Sequence, residues 1–303
     1  MNFSEHRYTS FDGLSLYYRV YGHGDDVVLC LPGLTRNCRD FEALATHLAD
    51  TYRVVTPDLR GRGESDWDPN WKQYLPPTYV KDVWTLLDRI KVPRCTVIGT
   101  SLGGLMGMIM ADQQPDRLRG LVLNDVGPEV APEALARIAE YVGTTPPQAD
   151  WDAAATMAKK NYAIAYPDAD DAFWMAQARA AWRERNDGRV EPAHDPAIGD
   201  ALRHALKSAR LLGILKKFGL RRLKGINLDP WDNFRQVTMP CLLLRGELSD
   251  VITPATVERM GELHPGLEVV EVPRRGHVPL LDEPEVLSVI EDFLSRVSGP
   301  VNY

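Results

Sequence analysis

Ser101 lies in Val97-Ile98-Gly99-Thr100-Ser101-Leu102-Gly103-Gly104. Before it runs an apolar stretch that reads as a buried strand, and after it a Met-, Leu- and Ala-rich stretch that reads as a helix. A reversal that short forces the serine backbone into a strained conformation with positive φ. Side chains two places before and two places after would collide with each other and with neighbouring strands. Gly99 and Gly103 remove those side chains, and Gly104 lets the helix close on the sheet. The hydroxyl is then pushed outward at a helix N-terminus, where free amides and the dipole favour negative charge. G-x-S-x-G alone is weakly specific; the strand–turn–helix setting is what suits a nucleophile.

A serine nucleophile needs a base, and the base needs an orienting acid. The chain has seven histidines. His277 stands apart because it follows the strand-like run EVVEVP, inside Arg275-Gly276-His277-Val278-Pro279. His6, His23, His47, His194, His204 and His264 have surface-like settings. For the acid, Asp250 follows the strand-like PCLLLRG in Gly246-Glu247-Leu248-Ser249-Asp250, and Asp125 closes LVLND. Both lie just past a strand's C-terminal end, where sites in open α/β sheets collect; Asp250 is the preferred candidate. An oxyanion needs donors. The amide of Leu102, next to the serine, is one. The amide of Leu34, after VVLCLPG, is the other, since Pro32 has no N–H and Gly33 permits a tight backbone.

These residues need a scaffold, and the chain alternates as a parallel α/β sheet requires. Asp12-Gly13 between two β-rich runs predicts a hairpin over residues 5–21. Strands are expected at 27–33, 94–99 and 118–125, with a strand running into a loop over 52–61. Helices are expected at 40–50, capped by Asp40, at 78–91, capped by Thr78, and at 101–113. From about 130 to 235 the pattern turns helical, with Ala-rich stretches at 133–142, 151–165, 170–185 and 200–218. It then returns to strands at 240–246 and 267–273 and helices at 254–263 and 283–297. The fold class expected is α/β, a mostly parallel central sheet flanked by helices. The organisation expected is a core of 1–130 and 236–303 with a helical insertion at 131–235.

Composition narrows the partners. Of the 303 residues 44% are hydrophobic and 25% charged, which suits a globular chain with a full core. The net charge of −7 argues against nucleic acid. No apolar run reaches membrane-spanning length, and the polar start MNFSEHRYTSFDG is unlike a secretory signal. The four cysteines, Cys30, Cys38, Cys95 and Cys241, form no CxxC pair and read as core residues of a reduced, cytoplasmic protein with no metal site. The basic stretch 203–224 reads as an amphipathic helix with a solvated cationic face. A small-molecule substrate is the expected partner, and a homodimer is left open.

Taken together, these motifs resemble the α/β-hydrolase superfamily over nearly the whole chain. Besides GTSLG, the run Asp58-Leu59-Arg60-Gly61-Arg62-Gly63-Glu64-Ser65 looks like the family's D-x-R-G-x-G-x-S loop. Gly276-His277, Pro279 and Glu283-Pro284 look like its histidine segment, and Gly246-Glu247 through Asp250 like its acid segment. The resemblance implies a cap at 131–235 that roofs the site, with Trp151, Trp174, Trp182 and Trp231 as candidates for the pocket. Arg36, after the oxyanion loop, is a candidate for a substrate carboxylate, with a surface salt bridge as its plainer role. Many relatives carry His-Gly where this chain has Leu31-Pro32-Gly33-Leu34. A serine in place of an aspartate nucleophile argues against haloalkane dehalogenase or epoxide hydrolase chemistry. The activity implied is cofactor-free hydrolysis of a small to medium, fairly apolar carboxylic ester through an acyl-enzyme. A C–C bond hydrolase of ring-cleavage products, a lactonase, and a ligand-binding receptor with slow turnover remain alternatives.

Overall fold

A computed structural model describes residues 3–217, 222–223, 226–227 and 229–298, with side chains omitted over 209–228. The chain opens with β1 (Phe3–Thr9), β2 (Ser15–Tyr21), β3 (Val27–Leu31), α1 (Glu42–Leu48), β4 (Arg53–Pro57), α2 (Pro76–Arg89), β5 (Cys95–Thr100), α3 (Leu102–Gln113) and β6 (Leu118–Asn124). An inserted stretch follows: α4 (Pro132–Tyr141), α5 (Trp151–Tyr162), α6 (Asp171–Ala181), the short pair β7 (Trp182–Glu184) and β8 (Val190–Pro192), α7 (Ala197–Lys217), and the pair β9 (Arg222–Leu223) and β10 (Ile226–Asn227). Then come α8 (Pro230–Phe234), β11 (Cys241–Gly246), α9 (Pro254–Leu263), β12 (Leu267–Val272) and α10 (Pro284–Val297).

The central sheet has the order β1-β2-β4-β3-β5-β6-β11-β12. β1 and β2 pair antiparallel, as do β2 and β4, and the remaining neighbours run parallel. The fold class is the expected one. The continuous apolar strands are explained by burial on both faces. Along β3, Val27, Leu29 and Leu31 pack into one layer with α2, α3 and α8, while Val28 and Cys30 pack into the other with α1 and α10. The inserted helices have a cluster of their own around Trp174, Trp182 and Tyr166. Trp231 and Phe234, near the end of the insertion, instead join the layer over α3.

Local differences from the sequence reading have simple causes. Asp40 does not cap α1: a 3-10 turn over Cys38–Phe41 precedes it, Asn37 caps that turn, and the Asp40 carboxylate is taken by Arg36. Thr78 does not cap α2, which starts two residues earlier on Pro76 with its ring at the first helical position. The 170–185 stretch is helical only to Ala181 and then turns into β7. Of the basic stretch, Arg203 and Lys207 lie on α7, and the side chains of Arg210, Lys216, Lys217, Arg221, Arg222 and Lys224 lie outside the described residues. The four cysteines are free and buried, and burial pushes the Cys95 thiol up to about 12. Among the described residues no helix is long and apolar enough to cross a membrane.

The loop after β4 ties the site region together, and its sequence motif is explained by burial. Arg60 is fully buried. Its guanidinium grips Asp82 of α2 through two bonds of 2.7 Å, Asp12 of the hairpin turn through two of 2.9 Å, and Asp68 at 2.5 Å. Asp58 accepts the amides of Cys38 and Glu64 at 2.7 and 2.9 Å, and Ser65 Oγ donates to its carbonyl at 2.7 Å. Gly63 has φ +55°, and a Cβ there would run into the Asp58 carboxylate. Replacing Arg60 by Met would leave this carboxylate group without its cation. Arg60→Met is therefore expected to lose on the order of 3–5 kcal/mol, read as a lowered urea midpoint.

Candidate active site

Ser101 sits between β5 and α3 with φ 52° and ψ −110°, a left-handed backbone that costs a non-glycine residue of order 1–3 kcal/mol. The turn closes because the residues two places before and after the serine have no side chains. A Cβ on Gly99 would overlap the Gly103 carbonyl group, and one on Gly103 would overlap the carbonyl oxygen of Leu31. Ser101 N donates to the Asn124 carbonyl at 3.0 Å, which fixes the turn against the end of β6.

Ser101 Oγ lies 3.0 Å from Nε2 of His277, and Nδ1 of His277 lies 2.8 Å from Oδ2 of Asp125. The preferred sequence candidate for that carboxylate, Asp250, is elsewhere. Its carboxylate pairs with Arg137 of α4 at 2.6 Å and is 46% exposed. Asp125 is completely buried. The reason lies in the sheet: β6 and β11 are neighbours with Asn124 opposite Leu244, so both aspartates follow strand ends at the same edge. Asp125 follows its strand directly, whereas Asp250 lies four residues past Gly246. Each is an aspartate just past an apolar strand, so the sequence alone carries no signal that separates them. The segment expected to supply the acid instead holds it: Gly246 N donates to Asp125 Oδ1 at 2.9 Å and Ser249 Oγ to Oδ2 at 2.7 Å. With a carboxylate at Nδ1, that nitrogen carries the ring proton and Nε2 is left to accept from the serine.

Leu102 is the first residue of α3, so its amide is among those with no partner inside the helix. Leu34 lines the same cavity as Ser101. Its peptide is held from behind, because Arg62 Nε donates to the Leu34 carbonyl at 2.9 Å and Arg36 N closes the loop on Gly33 O at 3.2 Å. The Arg62 guanidinium is fully buried, donates also to Arg60 O at 2.6 Å, and lies over the Tyr79 ring at 4.6 Å.

The cavity over Ser101 has a volume of about 970 Å³. Core and insertion both line it: Leu34, His277 and Leu280 from one, Ile138, Tyr166 and Trp174 from the other. Of the four tryptophans singled out in the sequence, Trp174 lines this cavity and Trp182 lines a small recess beside it. Trp151 and Trp231 line neither; each lies under an arginine at 3.9 Å, Arg179 and Arg259 respectively. Arg36 is not a surface residue. It lines the cavity, grips Asp40 through bonds of 2.7 and 2.6 Å, and donates to Gln177 at 3.0 Å. Among the described residues no cluster of His, Cys, Asp or Glu has the makings of a metal site.

Comparison with known proteins gives the same picture at the level of the family. A family model described as alpha/beta hydrolase fold matches residues 26–284. The chain is 33% identical over 270 residues to a 3-hydroxybutyrate-oligomer hydrolase of Cupriavidus necator, covering 89% of this chain and 88% of that one. It is 28% identical over 283 residues to a 2-(acetamidomethylene)succinate hydrolase of Mesorhizobium japonicum, covering 93% and 92%. A crystal structure of an alpha/beta hydrolase from Novosphingobium aromaticivorans superimposes with a TM-score of 0.85 at 39% identity, covering 97% of this chain and 99% of that one.

His194, given a surface-like setting by its sequence, lines the recess beside the cavity. Its loop is stitched to the core: Gly63 N donates to Ala193 O and Asp195 N to Gly61 O, both at 2.8 Å, and Tyr74 donates to the Asp195 carboxylate at 2.6 Å. Burial first, and the cations of Arg62, Arg36 and Arg183 second, lower the His194 pKa from 6.5 to about 4. The folded protein thus keeps this ring neutral where the unfolded chain protonates it. Stability from this residue is full above pH 6.5 and falls as the pH drops towards 4, by at most about 3 kcal/mol. His194→Asn is expected to flatten the acid side of a Tm-against-pH curve between those limits; an unchanged slope would contradict the burial of a neutral ring.

Proposed function

The chain belongs to the alpha/beta hydrolase family and is a hydrolase, and from that premise we propose that it cleaves carboxylic esters through an acyl-enzyme on Ser101. The reading rests on one observation above the others: the unbroken line from a buried carboxylate through His277 to the serine hydroxyl, with contacts of 2.8 and 3.0 Å. His277 takes the hydroxyl proton as Ser101 attacks the acyl carbon. Asp125 keeps the proton on Nδ1 and stabilises the imidazolium that forms. The amides of Leu102 and Leu34 donate to the oxyanion. His277 then protonates the leaving alkoxide, activates a water at the acyl carbon, and the acid departs.

The insertion acts as a cap whose residues shape the pocket. A cavity of this volume suits a small to medium substrate. Of the relatives named above, the one acting on 3-hydroxybutyrate oligomers supports an ester joining hydroxy acids as the bond cleaved. Lactone or C–C cleavage uses the same three side chains, and a substrate panel separates these readings.

Purified enzyme is expected to turn over p-nitrophenyl butyrate, and Ser101→Ala to abolish it. Asp125→Asn should lower kcat by about 10⁴-fold. Asp250→Asn, which breaks only an exposed pair, should stay within about threefold of wild type. Collapse in Asp250→Asn with activity retained in Asp125→Asn would reverse the assignment of the acid. A wild type inert both to esters and to a fluorophosphonate would end the acyl-enzyme reading.

A further inference from the structure

The recess that His194 faces opens beside the main cavity and shares Thr35, Arg36, Tyr141, Val142, Tyr162 and Gln177 with it. Its volume, about 30 Å³, is room for a polar group of about two water molecules' size. Its chemistry is one-sided. No carboxylate lines it; Asp40, the partner of Arg36, lines only the larger cavity. Donors do line it. Arg36 spends Nε and Nη2 on Asp40 and Gln177, and Nη1 has no protein partner among the described residues. Gln177 has its amide oxygen engaged by Arg36, which turns its NH₂ group into the donor left over. Asn161 supplies a further amide.

We propose that this recess binds a free carboxylate of the substrate, with Arg36 Nη1 as its cation and the amides of Gln177 and Asn161 as its neutral donors. The inference rests on the ester-hydrolase reading and specifies its substrate class: a short hydroxy-acid ester that carries its own carboxylate. Chain connectivity keeps that carboxylate close to the chemistry. Arg36 is two residues from Leu34, so their Cα atoms are at most about 7.6 Å apart. The surroundings of the recess are also short of negative charge, for Arg62 bridges the main chain of His194 from behind it. Arg62 is fully buried and pairs with no carboxylate among the described residues, and its Nη2 has no partner. The same surplus of cations disfavours protonation of His194. A bound carboxylate supplies the missing charge. Asp40 holds the Arg36 guanidinium in place before the substrate arrives, so little ordering remains to be done on binding.

The test compares two substrates: the linear dimer of 3-hydroxybutyrate with its carboxylate free, and the same dimer capped as a primary amide. Wild type is expected to favour the free acid by at least about tenfold in kcat/KM, chiefly through KM, as charge-assisted hydrogen bonds imply. Arg36→Gln should bring the ratio of the two substrates close to one. Asn161→Leu, which leaves the Arg36–Asp40 pair intact, should lower the ratio by about threefold, and it carries the test if Arg36→Gln does not fold. A wild-type ratio near one, or a ratio unmoved by either variant, would overturn the proposal. In that event cleavage of the amide-capped dimer or of p-nitrophenyl butyrate would leave the ester reading standing. Failure to cleave any of the three esters would remove the ester reading as well.

Discussion

The site depends first on a close approach that no side chain larger than hydrogen permits. The start of α3 packs against the end of β3 with only the α-carbon of Gly103 beneath the Leu31 carbonyl. That approach forces Ser101 into its left-handed backbone and aims its hydroxyl at His277. It also brings the first amide of α3 up to the loop that carries Leu34, the other proposed oxyanion donor. The helix has little amphipathic character because it is buried: Met106, Met108, Met110 and Ala111 are all covered. Packing on several sides, rather than local preference, holds the strained turn.

A second constraint is electrostatic. Two arginines in one loop are fully buried and do different things. Arg60 is surrounded by carboxylates and fastens the hairpin, the loop and α2 to each other. Arg62 has carbonyls and aromatic rings for neighbours, and its reach to Leu34 O couples the loop to the serine's surroundings. A buried charge is costly unless it is held by partners. The loop motif is therefore a description of how these charges are housed: Gly63 makes room for the Asp58 carboxylate, and Asp58 accepts backbone amides.

Much of this was legible in the sequence, and the exceptions share a cause. Strand runs such as VVLCL announce themselves because burial on both faces demands continuous apolar residues. The elbow and His277 were readable because steric and chemical needs restrict residue type at those places. The choice between Asp125 and Asp250 was not, since it turns on which of two adjacent strand ends faces the imidazole, a fact of three-dimensional register. The caps at Asp40 and Thr78 failed for a related reason. Asp40 found a partner in Arg36, and Thr78 donates to Gln73, so side chains that suit helix starts were claimed by side chains of the loops just before them. The tryptophans divide in the same way, Trp174 at the cavity and Trp151 and Trp231 under arginines, for indole chemistry suits both settings.

The loop at 193–195 joins insertion to core through main-chain bonds to Gly61 and Gly63. Bonds of that kind do not depend on which side chains the partners carry. The insertion can accordingly diversify its lining residues while its seat on the core stays the same. At this loop the attachment is chiefly main chain, with the Tyr74–Asp195 bond beside it, while the side chains that line the cavity belong to other elements.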